Sequence, residues 1–326
     1  MRSLVTGAAG FIGYALAARL AEEPDHEITV VDNFCRGARD EAFLALCGRP
    51  NVRFVEVDLA DATAASALPD GPFDVVYHLA ALNGTQNFYE RPYEVLRCST
   101  LPTFALIDRY VTTRSARRFV YAGSSEAYAS TVTRFGWKVP TDETVPLSIE
   151  DPRNVRWSYG ASKLHGEVLT LGACGQFGVE PTVIRYHNVY GPRMGDKHVV
   201  PDFVERMSRG VFALYGHEDT RSFLYVQDAV DATIRLARCA AAAGEVVNVG
   251  SDREITIRAL AEAILRERGI TEPLELHPSP AGSVRRRAPD LTKLRALIDF
   301  APRWSLEEGL RATVSWYLAR SGGSRG

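Results

Sequence analysis

A chain of 326 residues, 46% hydrophobic and 24% charged, has room for one large α/β domain with a smaller companion and the balance of an ordinary globular protein. A net charge of −2 gives no bulk electrostatic case for nucleic acid or a membrane surface, and no apolar run approaches the ~20 residues of a bilayer span. Five scattered cysteines without a C-x-x-C, and histidines that never pair with them at ligand spacing, argue against a metal centre and predict reduced thiols in a cytoplasmic protein.

Met1-Arg2-Ser3 runs straight into a short apolar strand, Leu4–Val5, so no signal peptide is expected. A glycine turn follows, and Phe11 to Glu22 predicts a helix with Ile12, Ala15, Leu16 and Leu20 near its apolar side. Strands are predicted at Glu27–Asp32, Val52–Val57, Asp74–Leu79 and Arg118–Ala122, with a helix from Tyr93 to about Thr113 between the last two. Ala129 to Trp157 lacks periodicity and predicts a long loop. Val183–Tyr186 and Val246–Val249 predict further strands. Strands separated by helices predict an α/β fold, a doubly wound parallel (Rossmann) sheet with a smaller C-terminal α/β substrate domain. Residues 1–189, with 240–250 returning to the sheet, are assigned to the nucleotide-binding domain. Residues 190–239 and 251–318 are assigned to the substrate domain, and 319–326 to a disordered tail.

The turn LVTGAAGFIG carries Gly7, Gly10 and Gly13 between strand and helix. Glycines there let backbone approach a pyrophosphate, and the helix N-terminus at Phe11 and Ile12 favours its charge. Asp32 ends the second strand with Asn33 beside it. A carboxylate in that place accepts from ribose hydroxyls and repels a 2′-phosphate, so NAD is expected over NADP. Arg36 and Arg39 read as solvated surface charges. Asp58 and Leu59 would reach the adenine, and Leu79, Ala80 and Ala81 would pass under the cofactor.

Tyr159 and Lys163 are four apart in WSYGASK, hence on one helix face. A phenol with an ordinary pKa of about 10 needs help to act as a base at neutral pH, and a neighbouring ammonium supplies it. Ser124, Ser125 and Glu126 follow the fifth strand at the edge of the sheet where ligands bind. A serine hydroxyl there would bridge a substrate hydroxyl and Tyr159. Glu126 is read either as a helix-start carboxylate or as a base for an acidified C–H.

Together TGAAGFIG, VDNF, HLAA, SSEAY, YGASK, RYHNVYGPRM, TRSFLYVQD and RRRAPD resemble the extended short-chain dehydrogenase/reductase family, in its nucleotide-sugar epimerase, dehydratase and decarboxylase group. The resemblance covers residues 3 to 318. It implies that Tyr159 takes the proton of a sugar hydroxyl, usually on C4, while NAD receives the hydride. It implies a nucleoside-diphosphate sugar substrate, with Asn188 and the loop to Arg193 at the diphosphate and Arg221 and Arg287 clamping phosphate or the sugar's charged end. It also implies a homodimer through the helices following Tyr93 and Tyr159. Glu126 favours chemistry at C5, decarboxylation of a UDP-glucuronate type or 4,6-dehydration, over plain 4-epimerisation. A simple NAD(P)-dependent ketoreductase is a further alternative. VDNF, the spacing from Asn87 to Pro92 and R-x-P-D at Arg287 to Asp290 resemble the decarboxylases, and Asn87 is assigned to substrate. Ser124, Ser125, Ser99 and Ala129 depart from the family's usual residues.

Overall fold

The computed structural model describes residues 1–326 except 62, 196–197, 280–283 and 324–326. The chain opens with β1 (Arg2–Thr6), α1 (Phe11–Leu20), β2 (Glu27–Asp32), α2 (Glu41–Cys47), β3 (Val52–Glu56), α3 (Ala64–Ala67) and β4 (Phe73–His78). Next come α4 (Thr85–Glu90), α5 (Pro92–Leu106), β5 (Ala116–Ser124), α6 (Ala129–Phe135), α7 (Ser158–Phe177) and β6 (Glu180–Tyr186). Then follow β7 (Val189–Tyr190), α8 (Val199–Ser208), β8 (Ala213–Tyr215), β9 (Thr220–Ser222), β10 (Leu224–Tyr225), α9 (Val226–Arg238) and β11 (Glu245–Val249). The last are β12 (Glu254–Thr256), α10 (Ile257–Glu267), β13 (Glu275–His277), β14 (Arg286–Arg287), α11 (Thr292–Ile298) and α12 (Leu306–Gly323).

Seven strands form one parallel sheet in the order β11-β6-β5-β4-β1-β2-β3. Both faces are covered, so the strands read as nearly continuous apolar runs. Successive residues go to opposite sides. Leu4, Val76, Phe119 and Val183 bury against the face that includes Leu106 and Cys174. Val5, Tyr77, Val120 and Ile184 bury with Leu16, Leu20 and Val230 on the other. Register enforces this: Leu4 stands opposite Val76, and Val76 opposite Phe119. Strand order reverses between β1 and β4, which opens a crevice at their carboxyl ends. Small sheets β10-β7, β12-β9-β14 and β13-β8 form its far wall.

Three boundaries differ from the sequence expectation. The long loop begins with α6, whose buried face is Ala129, Ser130 and Thr131. Their small polar side chains leave no apolar period, and Thr131 Oγ1 instead donates to the Pro146 carbonyl at 2.6 Å. The helix from Tyr93 ends at Leu106 and continues as a π-turn, Ile107–Val111. Within 190–239 and 251–318, α9 packs on α1, and α11 on β11. α12 runs to Gly323, taking in residues expected to be tail; 324–326 lie outside the described residues.

Candidate active site

The crevice widens into a cleft of about 780 Å³, within the size range of small-ligand and cofactor sites. Its floor is backbone held at close quarters. Gly7 has φ +70°, and a Cβ there would lie 2.9 Å from Ala80 N; a Cβ on Gly13 would lie 2.0 Å from Gly7 O. Thr6 Oγ1 accepts from Leu79 N and Ala80 N at 3.2 Å each. His78 bridges Thr6 and Thr103 hydroxyls at 2.9 and 3.0 Å, and burial pushes its pKa down to about 3, so it stays neutral. The N-cap of α1, Gly10, has no side-chain cap, which leaves the first N–H groups beside Phe11 and Ile12 for an anion.

Asp32 closes the cradle. Its carboxylate accepts from Ala9 N and Phe34 N, both at 2.8 Å. Burial raises its pKa while those bonds oppose the rise. Asn33, Asp58, Leu59, Leu79 and Ala81 line the same cleft. These residues could hold an adenine dinucleotide: bare backbone for the pyrophosphate and a carboxylate for a ribose. Arg39 is tied to Glu56 and lies 4.2 Å over the Phe34 ring.

Tyr159 and Lys163 sit one turn apart on α7. The Tyr159 ring stacks on Phe88 with centroids 5.3 Å apart. The side chains of Asn83 and Ser124 face its hydroxyl and oppose the rise in its pKa. Burial pushes the phenol up to about 12, and the charge of Arg36 is the strongest opposing influence. Lys163 Nζ donates to the Ala122 carbonyl at 2.7 Å and lies 5.6 Å from the Tyr159 ring centroid. Burial lowers the ammonium to about 8. The lysine therefore underlies the ring with one of its three N–H donors on backbone, and burial favours the protonated phenol until further positive charge enters the cleft.

Ser124 ends β5, and its Oγ accepts the Glu126 N–H at 3.2 Å as a cap. Ser125 is buried beside it. Glu126 is gripped from both sides: Oε1 accepts from Arg287 Nη1 at 2.7 Å and Oε2 from Arg156 Nη1 at 3.0 Å. Burial alone would raise its pKa, but the two guanidiniums hold it down at about 2. So held, it is a weak base. Arg287 pairs in register with Arg221 across β14 and β9. Arg221 Nη1 donates to the carbonyls of Thr220 and Arg285 at 2.7 and 3.2 Å. Burial and the Arg287 charge bring it down to about 10, so it remains a cation.

Asn188, at φ +38°, donates to Ser222 O at 3.0 Å and lines the cleft. Two residues expected at the substrate are engaged by protein groups, and Arg193 lines the cleft as well. Arg193 pairs with Asp40, donates to Ala9 O at 3.1 Å and lies 4.1 Å over the Tyr14 ring, so it braces the glycine turn. Asn87 donates to Asn83 O at 2.8 Å and holds the loop from which Asn83 reaches Tyr159. Sequence reasoning missed Asn83, Arg156 and the inward course of Arg36. Closeness of Asn83 to HLAA, and of Arg156 to Tyr159, were the available signals. Among the described residues no cluster of three His, Cys, Asp or Glu could hold a metal, and no helix is long and apolar enough to cross a membrane.

The chain belongs to the NAD dependent epimerase/dehydratase family, whose pattern it matches over residues 3–250, and is an enzyme of that family. It is similar to a UDP-N-acetyl-alpha-D-glucosaminuronate decarboxylase of Bacillus cytotoxicus, 33% identical over 97% of this chain and 97% of the relative. It is also similar to a UDP-glucose 4-epimerase of Mycolicibacterium smegmatis, 31% identical over 98% of this chain and 100% of the relative. The crystal structure of a UDP-glucose 4-epimerase with UDP-glucose from Thermotoga maritima superposes with a TM-score of 0.84 at 28% identity, covering 98% of this chain and 100% of that one.

Proposed function

We propose that this chain binds NAD and a nucleoside-diphosphate uronate, and decarboxylates the sugar after transient oxidation at C4. The observation that carries this reading is the grip of Arg156 and Arg287 on Glu126, with Arg221 alongside. Three guanidiniums against one carboxylate leave a positive surplus, and guanidinium forks suit a sugar carboxylate. NAD, when bound, supplies the hydride acceptor for C4 and returns the hydride at the end.

The chain's residues do the rest. Ser124 holds the sugar hydroxyl toward Tyr159, whose oxygen takes the proton once the Lys163 ammonium and the positive charge of the bound cofactor favour its phenolate. Lys163 keeps a positive charge beneath the ring. Oxidation makes the substrate a β-keto acid, so the C5–C6 bond breaks with its electron pair passing to the C4 carbonyl. That step needs an anion site and, afterwards, a proton, but no base. Dehydration would need a base for the C5 proton, and Glu126 at about 2 is unsuited to it. Asn188 is assigned to the diphosphate side, and Arg221 with Arg287 to the sugar's charged end. The similarity to the Bacillus cytotoxicus decarboxylase supports this reading.

A second reading is 4-epimerisation, favoured by the Mycolicibacterium smegmatis relative and by the same loss of a base at Glu126. Incubation of nucleotide-loaded protein with uronate and neutral UDP-sugars separates the two by product mass. Carbon dioxide release from a uronate is expected; an unchanged mass with inverted C4 would replace decarboxylation by epimerisation. We also assign a second copy of the chain to the exposed apolar face of α5 and α7, where Tyr93 is 71% and Val168 63% exposed.

A further inference from the structure

Arg36 lies in the turn after β2 and faces the cleft. The turn is seated on the glycine loop. A Cβ on Gly37 would lie 2.6 Å from the Ala9 carbonyl carbon and Cβ, and Ala38 N donates to Ala9 O at 3.3 Å. From there the side chain crosses the mouth. A Cβ on Gly195, on the far wall, would lie 2.3 Å from Arg36 Nη2; one on Gly84, after β4, would lie 3.9 Å from the same atom. Arg36 Nη2 is 3.4 Å from Nε2 of His198, the N-cap residue of α8. Burial and the Arg36 charge hold His198 at about 4, so it is a neutral acceptor. The guanidinium thus spans both rims of the groove, and two glycines leave it the room.

We propose that Arg36 is a strap that grips the diphosphate of the bound dinucleotide and keeps it from leaving between hydride transfers. This rests on the reading that the cleft takes NAD. The dinucleotide is favoured over the nucleotide sugar because the turn carrying Arg36 packs on Ala9, next to Gly10 at the N-terminus of α1. A planar fork matches two phosphate oxygens. An internal redox cycle needs such retention, since nucleotide lost after the first transfer strands the ketone. The same charge acts on Tyr159, so one side chain links cofactor retention to the proton acceptor.

The test uses full-length protein stripped of nucleotide, as wild type, Arg36→Ala and Arg36→Lys. Arg36 is solvent-exposed, so its truncation should leave thermal unfolding of the nucleotide-free protein unchanged. Equilibrium binding is measured for NAD, ADP-ribose, adenosine and UDP at low and high salt. Arg36→Ala should weaken NAD and ADP-ribose on the order of tenfold to a hundredfold. It should spare adenosine and UDP and flatten the salt dependence of NAD binding, with Arg36→Lys between. Unchanged NAD affinity, an equal loss for adenosine, or a loss confined to UDP overturns the strap. No sugar is present, so an error in the assigned sugar chemistry leaves these results untouched. Wild-type protein that binds no NAD overturns the reading of the cleft and the strap with it.

Discussion

Glu126 carries the clearest pH signature of any residue in the cleft. Arg287 and Arg156 hold its carboxyl at about 2, against an ordinary 4.5, in spite of burial. A depressed folded-state pKa contributes stability above the unfolded value and loses it as pH falls through the folded one. The contribution is therefore whole above about pH 4.5 and fades toward about pH 2. The displacement corresponds to on the order of 3 kcal/mol. The stability gap between wild type and Glu126→Gln in acid unfolding should be widest above that window and close across it; a gap constant with pH would count against the clamp. Tyr159→Phe keeps the ring on Phe88 but removes the proton acceptor. Turnover should fall by roughly a hundredfold to ten-thousandfold with NAD affinity little changed, and a matching loss of NAD affinity would point to misfolding instead. Tyr159, Lys163 and Ser124 were legible because spacing on a helix and position after a strand are local facts. Arg156, Asn83 and Arg36 were not, because their roles depend on which distant segments meet. The backbone carbonyls that Arg193 and Asn87 hold were not legible either, because a motif position does not say what else a side chain touches.

The glycine turn is the element whose sequence says most. Gly13→Ala would set a Cβ 2.0 Å from the Gly7 carbonyl oxygen, and neither atom can yield without moving α1 off the sheet. A loss on the order of 3 kcal/mol and of NAD binding is expected in thermal unfolding and titration; a variant that still binds NAD as wild type would contradict the close approach. The sheet strands were legible by their β-branched runs, though ends shifted by a residue or more. α6 was hidden because its buried face is small and polar, and its ties to Pro146 and Ser148 come from a loop many residues downstream. The packing of α9 on α1 and of α11 on β11 was not legible because apolar faces do not say which neighbour they cover.

At the scale of the molecule, one sheet edge brings four stretches of chain to one cleft: the turn after β1, the loop after β4, the end of β5 and the start of α7. The outer surface of α5 and α7 leaves Tyr93, Leu96, Phe104 and Val168 exposed. Burying them against a second copy predicts a dimer in sedimentation, and charges at Leu96→Asp and Val168→Asp should shift it to monomer; wild-type protein that stays monomeric at high concentration rules the interface out. The account's central claim is that a sugar is oxidised, altered and reduced again without leaving this cleft. Its most direct test is turnover of a nucleotide uronate carrying deuterium at C4 by nucleotide-loaded protein, read by mass spectrometry and NMR. The account predicts a product that has lost carbon dioxide and kept its deuterium at C4, with no free reduced nucleotide. Deuterium appearing in released nucleotide, or a product that still carries its carboxylate, would contradict it.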